Sequence, residues 1–146
     1  MNAKVSDLMI GNVMKVTPST KLSRVRSVMR ERHVSCMPVV GPEDEPLGVI
    51  TATDLLADHA DAAPVSSVMT KKVFTIPQYS DVSKAAHLMR KHHIHHAIVT
   101  HEKRVVGILS TFDLLALVED HRFVMKNAPQ ATNTKRRSGG RPETTI

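Results

Sequence analysis

Two pairs of side chains in this 146-residue chain, each pair three residues apart, have the types and spacing to hold a ligand. Thr51 and Asp54 lie in Gly48 to Leu56, GVITATDLL, while Ser110 and Asp113 lie in Gly107 to Leu115, GILSTFDLL. The glycine and aliphatics suit the end of a buried strand, and Leu-Leu opens an apolar helical face. The hydroxyl and the carboxylate therefore fall at a strand-to-helix turn, where free amides and a helix N-terminus favour an anionic ligand. The plainer alternative is that Asp54 and Asp113 are helix N-caps, accepting hydrogen bonds from first-turn amides. One such stretch alone would favour capping; its repetition tilts the reading toward a ligand.

A second group is the histidines. His87, His92, His93, His95, His96 and His101 crowd the second half, with KHHIHH as the dense part. Neutral imidazole is a versatile metal ligand and titrates near neutrality, so a metal- or pH-responsive interaction scaffold built on His92–His96 is the rival to anion binding. No thiolate or carboxylate completes a recognised zinc spacing, so no metal ligands are assigned, and a solvated helix end is the ordinary explanation. Cys36, the only cysteine, reads as an inert buried hydrophobe rather than a redox sensor. Met9, Met29, Met69 and Met89 recur at matched places on apolar helix faces and are expected in the core. With no Gly-rich phosphate loop, no G-x-S-x-G and no CxxC, no enzyme is read here.

Composition bounds the rest. Apolar residues make up 41% of the chain and aromatics only 3%, so the core must be Val, Ile, Leu and Met. No apolar run reaches the ~18–20 residues that span a bilayer, which excludes a membrane segment. The first residues lack the apolar stretch of a secretory signal, and a lone cysteine suits a reducing compartment; the expected location is cytoplasmic. Of the net charge of +6, five bases against one acid from Lys126 onward contribute +4, which leaves the body mildly basic. Without interleaved aromatics, such a body argues against a nucleic-acid partner. Residues 125–146 read as a disordered basic tail.

The elements that must position these groups come in two copies, expected over residues 1–61 and 62–124. Val5-Ser6-Asp7-Leu8-Met9 matches Val65-Ser66-Ser67-Val68-Met69, and Val16-Thr17-Pro18 matches Thr75-Ile76-Pro77. Leu22, Val25 and Met29 match Val82, Ala85 and Met89 on an amphipathic helix. Met37-Pro38-Val39-Val40 matches Ala97-Ile98-Val99-Thr100, and the Gly-to-Asp stretch closes each copy. The pattern predicts strands over 13–17, 37–40, 47–51, 73–76, 97–100 and 105–110. Helices are predicted over 22–32, 54–60, 82–92 and 113–120. Units of roughly 55–60 residues bury little core alone, so the two are expected to pack across a pseudo-twofold axis.

The ordered set, twice over, resembles a tandem pair of CBS domains, the Bateman module, across residues 5 to about 120. The resemblance implies an α+β fold of two pseudo-symmetric βαββα repeats packed through their sheets. It implies adenosine-containing ligands (AMP, ADP, ATP or S-adenosylmethionine, with magnesium admissible beside ATP) in clefts between the repeats. It assigns the ribose hydroxyls to Asp54 and Asp113, and the phosphate to Thr51 and Ser110. A carboxylate accepting two hydrogen bonds from a cis-diol fits that role. The adenine pocket is carried to Thr17, Pro18, Ser35, Cys36 and Met37, and to Thr75, Pro77, His95, His96 and Ala97. The resemblance implies a homodimeric regulatory sensor that modulates a separate partner protein.

Overall fold

Two helices of equal length fix the frame, and both lie where the apolar spacing predicts them. The computed structural model describes residues 2–119 and 121. In chain order its elements are α1 (Val5–Leu8), β1 (Ile10–Gly11), α2 (Leu22–Arg32), β2 (Cys36–Val40), β3 (Pro46–Thr51), β4 (Thr75–Pro77), α3 (Val82–His92), β5 (His96–His101), β6 (Arg104–Ser110) and α4 (Thr111–Glu119). Helix α2 buries Leu22, Val25, Val28 and Met29 on one face, and α3 buries Ala85 and Met89. Basic residues in both last turns, Arg30 and Arg32 or Arg90, Lys91 and His92, oppose the negative end of the helix dipole. Each helix stops at a histidine in left-handed conformation, His33 at φ 54° and His93 at φ 53°. The next amide then reaches back to close the end, Val34 to the Met29 carbonyl at 3.2 Å and Ile94 to Met89 at 3.0 Å. These turns deliver Ser35-Cys36 and His95-His96 to matched places at the start of β2 and β5.

Strands β6, β5 and β4 of the second copy take β1 of the first into a four-stranded sheet, β1-β6-β5-β4, with β4 parallel to β5 and the other pairs antiparallel. The first forms the hairpin β2-β3, extended by single bridges from Val16 to Val39 and from Thr70 to Val49. The strand predicted over 13–17 is thus reduced to one bridge. Its counterpart β4 survives because Ile98 donates its amide to the Phe74 carbonyl at 3.0 Å. Pro38 stands at the equivalent of Ile98 and has no N–H to give. The register also corrects the alignment of the copies by one residue. Val16 opposite Val39 corresponds to Ile76 opposite Val99, so Thr17 rather than Pro18 matches Pro77.

Each copy's lead-in packs on the other copy. Val5, Leu8 and Met9 join a core with Ile76, Ala85, Met89, Ala97, Val99 and Leu109. Val65, Val68 and Met69 join Leu22, Val25, Met29, Met37, Val39 and Ile50. The exchange is also in the backbone, where the first amide of α2 bonds the Ala63 carbonyl and that of α3 bonds the Ala3 carbonyl. Of the four methionines expected in the core, Met29 and Met89 are buried there, while Met9 and Met69 are half-buried and pack against it. A third cluster of Cys36, Val40, Ile98, Val105 and Ile108 forms the seam between the sheets. The crossing explains the glycine that opens each motif. A Cβ on Gly48 would lie 2.7 Å from Met69 Sδ, and one on Gly107 would lie 2.8 Å from both Met9 Sδ and the Ile10 carbonyl.

The helix predicted over 54–60 is corrected to a single 3-10 turn, Thr53–Leu55, whereas its counterpart α4 is a full helix. The chain beyond the turn runs to the start of α2, where the carbonyls of Asp61 and Ala63 accept the amides of Ser23 and Leu22, and Asp61 also pairs with Arg26 at 2.8 Å. The tail expected to be disordered lies outside the described residues.

Candidate functional site

Both motifs close on themselves in the same way. The Ser110 amide donates to Asp113 Oδ2 at 2.8 Å, and the Asp113 amide donates to Ser110 Oγ at 3.1 Å. Thr51 and Asp54 repeat the exchange at 2.9 and 3.3 Å. In the second copy this is a reciprocal capping box, with Ser110 as cap of α4 and the carboxylate three places on. The reading of the aspartates as N-caps is thereby corrected: Ser110 occupies that place, and in the first copy the cap of the short turn is Ala52, with Thr51 one residue ahead of it. Among the described residues, one oxygen of each carboxylate is held by the backbone, while the other makes no hydrogen bond. A held carboxylate with a free oxygen is a preorganised acceptor.

The boxes are anchored to the strand starts. The Ala52 amide donates to the Ser35 carbonyl at 2.8 Å, and the Thr111 amide to the His95 carbonyl at 2.9 Å. Two clefts flank this junction. One, of about 600 Å³, is walled by Ser110, Phe112 and Asp113, by Val13 and Met14, by Arg32 and His33, and by Ser35 to Met37 with His95 and His96. The other, of about 460 Å³, is walled by Thr51 to Thr53, by Lys72, Val73 and Phe74, and by Ile94 to His96 with Ser35 and Cys36. The motif of one copy thus faces the leading segment of the other.

This sorts the residues expected to bind. Ser110 and Asp113 share the larger cleft with Ser35, Cys36, Met37, His95 and His96, whereas Thr51 opens on the smaller one. Asp54 lies behind Thr51, outside that cleft's lining, yet close enough to act on Cys36. Five expected adenine contacts are not brought to either cleft. Thr17 and Pro18 belong to a turn in which the Thr17 amide bonds Thr20 Oγ1 at 3.1 Å. Thr75 and Pro77, on the sheet edge, line a separate groove with Tyr79 and His101. Ala97 is fully buried in the second core.

Sequence reasoning missed Met14, Arg32, Phe112, Lys72 and Phe74, which line the clefts. In a chain so poor in aromatics, Lys72 and Phe74 beside a strand start were a legible signal. Lys72 Nζ sits 5.3 Å from the Phe74 ring centre, and the His92 ring is 4.3 Å away on centroids. Each cleft carries one permanent cation, Arg32 or Lys72, beside the imidazoles.

Burial holds the His96 imidazole below its ordinary value, His95 lowers it further, and Asp113 opposes both. Partial burial, then Lys91, Lys72 and His87, do the same to His92. Burial, and secondarily Asp54, push the Cys36 thiol up to about 12, so it is protonated and unreactive at neutral pH. Among the described residues, no three His, Cys, Asp or Glu side chains converge on a point that could hold a metal. No helix among them is long and apolar enough to cross a membrane.

Comparison with known proteins agrees with this geometry. The sequence profile of the CBS domain matches residues 5–60 and again 65–120. The chain is 31% identical over 113 residues to inosine-5'-monophosphate dehydrogenase of Methanocaldococcus jannaschii, a match covering 77% of this chain and 23% of that enzyme. It thus spans about a quarter of that relative's length. Among solved structures, it superposes on the CBS domain pair of protein MJ0100, in complex with 5'-methylthioadenosine and S-adenosyl-L-methionine. The TM-score is 0.74 at 22% identity, covering 82% of this chain and 98% of that one. CBSX2 in complex with AMP gives a TM-score of 0.72 at 21% identity, covering 80% and 96%. At these identities the likeness establishes the fold, an α+β pair of CBS repeats.

Proposed function

Because the chain belongs to the CBS domain family and carries that domain twice, we propose that it is a non-catalytic regulatory module. In this reading it binds an adenosine-containing ligand, AMP, ADP, ATP or S-adenosylmethionine, between its repeats and modulates a separate protein. The observation that carries the proposal is the pair of backbone-held carboxylates at the strand ends, one opening directly on a cleft of about 600 Å³. Asp113 takes the ribose diol through its free oxygen, and Ser110 and Arg32 face the phosphate. Met14 and Phe112 supply apolar surface for the base. Thr51 and Lys72 serve the second cleft, with Phe74 as its aromatic wall. Binding favours one arrangement of the repeats over another, and the partner reads the difference.

Two further parts of the reading go with it. The protein works as a homodimer, supported by α4, whose Phe112, Leu115 and Val118 are 78%, 52% and 51% exposed. It acts in the cytoplasm, where its ligands are abundant and Cys36 stays reduced. Light scattering should show a dimer that Leu115→Glu converts to monomer.

Binding is tested by thermal shift and calorimetry with AMP, ADP, ATP and S-adenosylmethionine, with and without magnesium. A ligand at about 100 times its Kd adds about 2.7 kcal/mol and raises the midpoint by several degrees. Asp113→Asn is the informative variant. Its amide oxygen can still accept from the Ser110 amide, so the box survives, but its NH₂ cannot accept from a diol. The loss of a hydrogen bond to a charged group predicts tenfold to roughly hundredfold weaker binding with little change in the unliganded midpoint. Wild-type affinity in both Asp113→Asn and Asp54→Asn would sink the assignment.

A further inference from the structure

The two clefts are not separate rooms. Ser35, Cys36, His95 and His96 border both. The backbone of this partition is fixed, because the Ser35 and His95 carbonyls are taken by the Ala52 and Thr111 amides. Only its side chains can respond to a ligand. We propose that His95 and His96 form one anion-binding wall serving both clefts, so that two phosphorylated ligands share a single pair of imidazoles and bind with negative coupling that weakens as the pH falls. The proposal rests on the nucleotide reading above and specifies its regulation.

The reasoning is a charge count on each side of the wall. In the larger cleft the ionisable groups facing the wall are Asp113 from α4 and Arg32 and His33 from the end of α2. In the smaller cleft Lys72 faces it, and the Cys36 thiol, protonated at neutral pH, borders both. Each side therefore offers one permanent cation to a phosphate group that carries up to two negative charges. The remaining charge must come from the wall. His96 enters binding mostly neutral, since burial and His95 hold it below its ordinary value. A phosphate arriving in either cleft favours the imidazolium, so binding takes up a proton and strengthens as the pH falls through the imidazole range. A second phosphate on the other side must share that cation or charge the adjacent ring against it. Once both rings are protonated, the conflict disappears.

The test uses the full chain, AMP as the charged probe and adenosine as the uncharged one, by calorimetry. Titrations run at about pH 8 and about pH 6, either side of the imidazole range, in two buffers of different ionisation heat. The expected result is two AMP steps, the second about tenfold weaker at the higher pH and within about twofold of the first at the lower, a coupling of ordinary allosteric size. Net proton uptake should accompany AMP but not adenosine. The His95→Gln/His96→Gln double variant should lose both the pH dependence and the coupling. AMP filling both clefts independently, a coupling unchanged by pH or by the double variant, or a single AMP step at both pH values overturns the shared wall alone. If neither AMP nor adenosine binds, the wall falls, and if ADP, ATP and S-adenosylmethionine also give no heat the nucleotide reading falls with it.

Discussion

Gly107→Ala should unfold the exchanged lead-in from its sheet, and its cost follows from two contacts. A Cβ at Gly107 would sit 2.8 Å from the Ile10 carbonyl and 2.8 Å from Met9 Sδ. The thioether end can swing away, but the carbonyl belongs to β1, which is registered on β6 through Ile10 opposite Ile108 and Gly11 opposite Gly107. Relief requires β1 to lift, loosening Val5 and Met9 from the second core. Overpacking against backbone costs about 1–3 kcal/mol. In a domain near 150 residues each kcal/mol moves the midpoint by about 2–4 °C, so a loss of roughly 2–12 °C is expected. The neighbouring Gly11→Ala is the control, since its Cβ would meet nothing nearer than 4.0 Å. Met9→Ala placed in the Gly107→Ala background should not restore the midpoint, because the carbonyl contact remains and the thioether's packing on the second core is lost. Differential scanning calorimetry of the four proteins decides the matter. If Gly107→Ala melts with Gly11→Ala, the lead-in does not cross β6 as described.

Three further outcomes follow from the same geometry. His96 has a lowered pKa in the folded state, so the unfolded chain binds its proton first as the pH falls below the ordinary 6.5. Stability should therefore fall with pH in that window, and urea midpoints of His96→Gln should show a shallower dependence. Cys36, with its thiol near 12, should resist iodoacetamide at neutral pH in the native protein and react at once in urea, as mass spectrometry would record; rapid native labelling would contradict its burial. His93 holds φ 53° with a side chain that resists it, so His93→Gly should stabilise by about 0.5–1 kcal/mol in urea unfolding, the left-handed strain slightly outweighing the entropy of glycine.

The sequence by itself determined what is local. Apolar residues recurring at helical spacing mark α2 and α3 end to end, because that periodicity is a property of one segment and needs no neighbour. The repeat, the βαββα pattern and the two hydroxyl–carboxylate pairs were legible for the same reason, and the pairs are held as written. What only the tertiary structure decided is which copy each piece serves. Val5 and Val65 look alike in sequence, yet each is buried in the other repeat, because two small units gain core by exchanging their leading segments. That exchange makes Gly48 and Gly107 necessary and turns Ser35, Cys36 and Met37 toward Ser110 and Asp113 rather than toward Thr51 and Asp54 alone. It left Thr17, Pro18, Thr75 and Pro77 outside both clefts. The helix expected after Asp54 is a single turn, and the chain beyond it gives the carbonyls of Asp61 and Ala63 to the amides at the start of α2. Such choices depend on which unsatisfied backbone groups meet in space, and spacing along one chain does not encode that.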